Sequence, residues 1–184
     1  MKALALLLFL LALPVHADDW VSLFDGKTLT GWSHPGETNW QVQDGAITAS
    51  EGKVSLLTSD AKFENFELKV EFKASIGANS GVFLNCAEEV KDITTDCYEV
   101  NIADPTNAYP TGSIVKCVKV EGVEENEEWR KYHLKVENGT VTIILDGKLL
   151  VTHKADPVRA AGFIGLQKNK GAIAFRNIQV RELK

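Results

Sequence analysis

The chain has 184 residues, enough for one domain to bury a core without metals or a disulfide framework. Its 20 Lys and Arg against 25 Asp and Glu leave a formal charge of −5 with no basic cluster, which argues against nucleic acid or an anionic membrane surface as a partner. The opening MKALALLLFLLALPVHA sets one Lys before an apolar run from Ala3 to Leu13 and ends in Val-His-Ala, the pattern of a secretory signal peptide cleaved after Ala17. That run is too short to span a bilayer, and no Cys follows closely enough for lipid attachment. Residues 18–184 are therefore expected as one periplasmic or secreted domain, of unassigned oligomeric state.

In chain order, WVSLFDGKTLTGW brackets an Asp25-Gly26 turn with apolar residues, and NWQVQDGAITAS predicts two short strands joined by Asp44-Gly45. Ser55–Thr58 is a further strand. In FENFELKVEFK, Phe66, Leu68, Val70 and Phe72 alternate with Glu67, Lys69, Glu71 and Lys73, a strand with one buried and one wet face. NSGVFLN (Asn79–Asn85), CYEVNIAD (Cys97–Asp104) and TGSIVKC (Thr111–Cys117) read as three short strands. Val120–Glu128 is an acidic loop without calcium-loop spacing. WRKYHLKVENGTVTIILDGKLLVTHK predicts three strands linked by Asn138-Gly139 and Asp146-Gly147, and GFIGLQKN and AIAFRNIQVREL two more. Asn138-Gly139-Thr140 also fits a glycosylation acceptor, but the turn accounts for it. Short strands at regular intervals, with no sustained helical period, predict an all-β sandwich.

Three Cys, at 86, 97 and 117, allow one bridge with a leftover thiol, in three pairings, or three free thiols. Strand parity puts Cys86 on the Leu84 face and Cys97 on the Glu99 face, so a Cys86–Cys97 bridge needs a bulge. Cys97–Cys117 is the expected pair, across a hairpin closed around Pro105–Pro110, with Cys86 buried as a small apolar residue. No His stands in an HxH or HExxH pattern. Trp20, Trp32, Trp40 and Trp129 read as packing residues, with Trp129 the one to look for at the surface.

Parity also selects candidate site residues. Glu99 and Asn101 point the same way, and Asn85 belongs with Phe83 to the set that can share their face, with Lys116 on the third run. Ordinary solvent-side residues of an antiparallel sheet would show the same alternation.

The chain resembles the 3-keto-disaccharide hydrolase domain family. The similarity is carried by LFDGKTLTGW (Leu23–Trp32), W-x-V-x-D-G (Trp40–Gly45), FELKVEFK (Phe66–Lys73), NSGVFL (Asn79–Leu84), YEVNIAD (Tyr98–Asp104), TGSI (Thr111–Ile114), Glu128-Trp129 before a hairpin with Asp146–Lys148, and GFIGLQ with FRNI (Gly162–Gln167, Phe175–Ile178). The resemblance implies a concanavalin A-like jelly roll of two curved antiparallel sheets that takes carbohydrate on its concave face. It also implies that Glu99 matches the family's Tyr-Glu pair and Asp104 its following Asp. Asn85 stands where the family often has Arg, and Asn101 where it usually has Gln.

Ordinary retaining glycosidases need two carboxyl groups about 5 Å apart and inverting ones about 6.5–9.5 Å. On a regular strand Glu99 and Asp104 would sit about 16 Å apart on opposite faces. A sugar oxidised to a ketone at C3 asks for less, because its C2 proton is acidic and the C1 oxygen can leave by elimination. The expectation is Glu99 as base, with Asn85, Asn101, Asp104, Lys116 and Trp129 contacting substrate. A divalent cation held by Glu99 or Asp104 is the only cofactor these residues suggest. The alternatives are a carbohydrate-binding module of the same fold, which retains its ligand uncleaved, and a cell-surface interaction protein, which would show an apolar patch.

Overall fold

The computed structural model describes residues 19–33 and 37–184. The expected signal peptide, Met1–Ala17, lies outside the described residues, as does His34. The described residues form β1 (Val21–Ser22), β2 (Trp32–Ser33), β3 (Gln41–Gln43), β4 (Ala46–Ala49), β5 (Ser55–Phe63), β6 (Phe66–Ala74), β7 (Asn79–Cys86), the single turn α1 (Ile93–Asp96), β8 (Tyr98–Ala103), β9 (Arg130–Glu137), β10 (Thr140–Leu145), β11 (Lys148–Lys154), β12 (Gly162–Lys170) and β13 (Ile173–Glu182). Among them no helix is long and apolar enough to cross a membrane.

Two antiparallel sheets pack face to face. The larger runs β11-β10-β9-β6-β13-β4-β3, with β1 also on β13, and the smaller runs β2-β5-β12-β7-β8. The turns form as their residues dictate. Asp44-Gly45, Asn138-Gly139 and Asp146-Gly147 all take positive φ at both positions, between 49° and 82°, the geometry whose twist matches a two-residue hairpin.

Alternation sorts the side chains. From β6, Phe66, Leu68, Val70 and Phe72 enter the core, and Tyr98, Val100 and Ile102 of β8 meet them from the other sheet. Each such side chain contributes about 1.5–3 kcal/mol when fully buried. The Tyr132 hydroxyl of β9 crosses this layer to donate to the Asn101 carbonyl at 2.7 Å, and burial pushes its pKa up. The larger sheet is thereby tied to the strand that carries Glu99.

The strand expected over Thr111–Cys117 does not form. Only Ile114 makes ladder bridges, to Val100 and to Val118. Gly112 at φ +89° and Lys116 at φ +61° turn the chain out of an extended path. The segment instead serves β8 as an irregular neighbour: Asn101 N–H donates to the Ser113 carbonyl and Val115 N–H to the Glu99 carbonyl, both at 3.0 Å.

Candidate functional site

The outer face of the smaller sheet follows from register. Thr58, Gly165, Phe83 and Glu99 form one row across β5, β12, β7 and β8, and Leu56, Gln167, Gly81 and Asn101 form the next. Glu99 and Phe83 flank Gly81 closely: a Cβ placed there would lie 3.3 Å from Glu99 Cγ and 3.3 Å from the Phe83 ring. Glycine leaves room for those two side chains to lean together.

Glu99 is 7% exposed, and no described residue donates a hydrogen bond to its carboxylate. Desolvation alone acts on it, and pushes its pKa from 4.5 up to about 7. An unpaired, desolvated carboxyl held near neutrality suits a general base.

The other expected residues fall elsewhere. Asn85 sits at φ +52°, and its amide donates to the carbonyls of Phe63, Glu64 and Ala160 at 3.0–3.2 Å. It locks a bulge, and Asn suits that left-handed backbone better than a long branched side chain. Asn101 does face the Glu99 side, but its amide donates to the Tyr109 carbonyl and its Oδ1 accepts from Ile102 N–H. Asp104 closes the turn after β8, accepting from the hydroxyl and backbone N–H of Thr106, and these hydrogen bonds hold its pKa below the usual range. Lys116 lines a separate cleft with Cys117, His153 and Arg159. Trp129 lies under Arg176, 4.0 Å from guanidinium to ring centre, on the outside of the larger sheet. The expected convergence of Glu99 with the amides of Asn85 and Asn101 is therefore not what the fold builds.

The disulfide also differs from expectation. Cys86 pairs with Cys97, and Cys117 is a free, exposed thiol. The bulge this pairing needs is present: Phe163 pairs with Cys86 but Gly165 with Phe83, so one extra residue of β7 is accommodated at Asn85. Cys86 is thereby turned onto the Phe83 face, where it packs with Cys97, Leu56, Val90 and Phe163. Gly162 permits the bulge, since a Cβ there would lie 2.3 Å from the Cys86 carbonyl oxygen. The bridge cinches the loop 87–96 over the edge of the face.

Beside Phe83 that loop roofs a groove of about 380 Å³, lined by Leu56, Phe83, Val90, Phe163 and Gln167 among others. Gln167 is 3% exposed, and its Oε1 is buried without a hydrogen-bond partner among the described residues. Sequence reading overlooked it. Extending the parity argument from β7 to GFIGLQ would have placed Gln167 on the Gly81 row, but the pairing of β12 with β7 is not visible locally. Two strand spacings separate Glu99 from Gln167, which puts their Cα atoms about 12 Å apart diagonally, with Gly81 between them. No group of three His, Cys, Asp or Glu side chains that could hold a metal ion occurs among the described residues.

The family described as the 3-keto-alpha-glucoside-1,2-lyase-like domain matches residues 19–181. The chain belongs to this family. A 3-keto-disaccharide hydrolase of Bacteroides thetaiotaomicron is 29% identical over an alignment of 238 positions, covering 94% of this chain and 81% of that one. Among solved structures, a candidate glycosyl hydrolase of Parabacteroides distasonis superimposes with a TM-score of 0.76 at 27% identity, covering 90% of this chain and all of that one. The carbohydrate-binding module CBM66 of Bacillus subtilis gives a TM-score of 0.67 at 14% identity over 83% of this chain and 96% of its own, a likeness of fold. The jelly-roll sandwich expected from the sequence is the architecture found.

Proposed function

We propose that this protein cleaves the glycosidic bond of 3-keto-glucosides by elimination, with Glu99 as the base. The observation that carries this reading is the Glu99 carboxylate, buried without a hydrogen-bond partner among the described residues and titrating near 7 beside Gly81 and Phe83. Family membership and the relationship to a 3-keto-disaccharide hydrolase support a carbohydrate-active function.

The chemistry asks little of the protein. Glu99 takes the C2 proton, and the C–H electron pair forms C2=C3 while charge moves onto the C3 oxygen. Collapse of that enolate restores the ketone, forms C1=C2 and breaks the bond from C1 to the departing oxygen, which leaves as an alcohol after taking a proton. Water then adds at C1 and a proton returns to C2, so the sum is hydrolysis; release before hydration makes the same protein a lyase. One base and a hydrogen-bonding group suffice. We assign the second role to the Gln167 amide, which holds the sugar from the far side of Gly81. Asn85 and Asn101 keep the backbone in place around them. The Cys86–Cys97 bridge supports folding in an oxidising compartment, in keeping with export guided by the N-terminal residues.

The test is turnover of a 3-keto-glucoside in D2O. Wild type is expected to release 3-ketoglucose carrying deuterium at C2, and Glu99→Gln to lose at least about 100-fold in rate. A fully active Glu99→Gln protein removes the base assignment. Ligand retained uncleaved by wild type would make the chain a binding module.

A further inference from the structure

The outer face of the larger sheet gathers positive charge that the sequence disperses. Register sets Lys135, Glu67 and Arg181 in one row across β9, β6 and β13, then His133, Lys69 and Gln179, then Lys131, Glu71 and Arg176. In the next row Lys73 lies beside Ala174, followed by Thr48 of β4 and Gln41 of β3. On β9, β6 and β13 six Lys and Arg thus share a face with three Glu, in a chain whose formal charge is −5. The three Glu are taken: Glu67 by Arg181, Glu71 by Arg176, and Glu137 by Lys135 at 2.9 Å. Lys69, Lys73 and Lys131 remain in excess. The Lys69 ammonium lies 3.8 Å from the centre of a Trp20 ring, and among the described residues neither Lys73 nor Lys131 forms an ion pair. Lys73 also lines a groove of about 300 Å³ together with Gln41, Gln43, Thr48, Ala174 and Glu127, among others. The small Ala174 separates Lys73 from Thr48 in their row, and the groove opens between them.

We propose that this face binds an acidic polysaccharide, with one carboxylated or sulfated sugar residue seated in the groove and its neighbours over Lys131 and Lys69. The inference goes beyond the cleavage reading and does not depend on it. Single exposed charges contribute little, but several cations of one sign on one face raise the local concentration of a polyanion. The groove supplies what charge alone does not. The exposed amides of Gln41 and Gln43 offer both donors and acceptors to sugar hydroxyls, and the Lys73 ammonium at the same place meets the acidic group. An anionic bilayer would use the cations and leave these amides idle, which favours the glycan. Glu127 is the carboxylate among the groove's described residues, and it opposes an anionic ligand. Its removal is therefore expected to strengthen binding, a sign that hydrogen bonding to a neutral sugar would not produce.

The experiment is calorimetry on the full mature chain with polygalacturonate, heparin, uncharged dextran and vesicles containing phosphatidylserine. Wild type is expected to bind at least one of the two acidic polymers about tenfold or more tighter than dextran or the vesicles, and to lose most of that affinity at high salt. Lys73→Gln and Lys131→Gln should each weaken binding about threefold, and Glu127→Gln should strengthen it about twofold. All three side chains are exposed, so these variants are expected to fold. Glu99→Gln and Lys62→Gln, both on the smaller sheet, should bind as wild type does, which keeps this test separate from that of the base. Binding of one acidic polymer alone upholds the proposal and names the acidic group, carboxylate or sulfate. Three results overturn it: no binding of either polymer, binding of dextran or vesicles as tight as that of the glycan, or a Lys73→Gln, Lys131→Gln double variant that binds as wild type does.

Discussion

The outer faces of the two sheets carry carboxylates at the same strand parity and treat them in opposite ways. On the larger sheet, Glu67 accepts from Arg181 at 2.8 Å and from His133 at 2.6 Å, and Glu71 accepts from Arg176 at 2.8 Å. Burial opposes the ionisation of both, but these partners outweigh it and hold both below the ordinary carboxyl range. The same cations lie over Trp20 and Trp129. On the smaller sheet, Glu99 has Phe83 and Gly81 as its close company, and desolvation acts unopposed. Burial of a carboxylate is thus not what marks a site. The mark is burial without compensation, which costs stability and is retained where chemistry needs it.

The most forceful way to break this comparison is to neutralise one carboxylate from each face. Glu99→Gln should lower kcat/KM on a 3-keto-glucoside by at least about 100-fold, whereas Glu67→Gln should leave it within about twofold. For wild type, kcat/KM should rise with pH through about 7, because the base works only when ionised. A pH-independent rate, or similar losses in the two variants, would erase the distinction between the faces.

Stability should separate them with opposite signs. Glu99 titrates near 7 in the folded chain and near 4.5 when unfolded, so the folded state holds the extra proton between those values and stability falls as pH rises through that window. Above neutrality the loss is on the order of 3 kcal/mol. Urea unfolding should therefore show Glu99→Gln little changed near pH 4.5 and more stable than wild type at pH 8. Glu67 is depressed, so its contribution is present above about pH 4.5 and is lost as pH falls through its folded value. Glu67→Gln should cost about 2 kcal/mol at pH 7. A constant offset for Glu99→Gln across pH would show that its carboxyl is not perturbed.

Comparable in size is the effect of the bridge at the edge of the Glu99 face. Serine at both Cys86 and Cys97 should lower stability by about 3 kcal/mol from chain entropy, given a sequence separation of 11, while Cys117→Ser should change it by less than about 0.5 kcal/mol. Thiol labelling of the native chain should modify Cys117 alone. Labelling at Cys86 in its place would restore the Cys97–Cys117 pairing across the 105–110 loop.

These residues also show how far the sequence could be read. Hairpins and the core face of β6 were legible because Asp-Gly, Asn-Gly and period-2 alternation act over a few residues. Glu99 was legible for the same reason, since its face follows from Tyr98, Val100 and Ile102 within one strand. The disulfide and Gln167 were not. Both depend on how β12 lies against β7, a pairing between segments about 80 residues apart in which one bulge, allowed by Gly162, reverses the face of Cys86. Asn85 and Asn101 looked like site residues because polarity in a strand is visible in sequence, while the carbonyls that consume it are not.

The mildest test returns to the larger sheet. Trp129 was expected to contact substrate, yet it stacks on Arg176, which is itself paired with Glu71, and it lies on the side of the sandwich away from Glu99. Trp129→Ala should cost about 0.5–1 kcal/mol from the lost cation–π contact and leave kcat/KM unchanged. The informative result is the rate. A tenfold loss at unchanged stability would mean that substrate reaches the larger sheet, and the unpaired carboxylate of the smaller one could then no longer define the site by itself. An unchanged rate would place Trp20 and Trp129 together, as aromatic covers over charges that partner one another and do no chemistry.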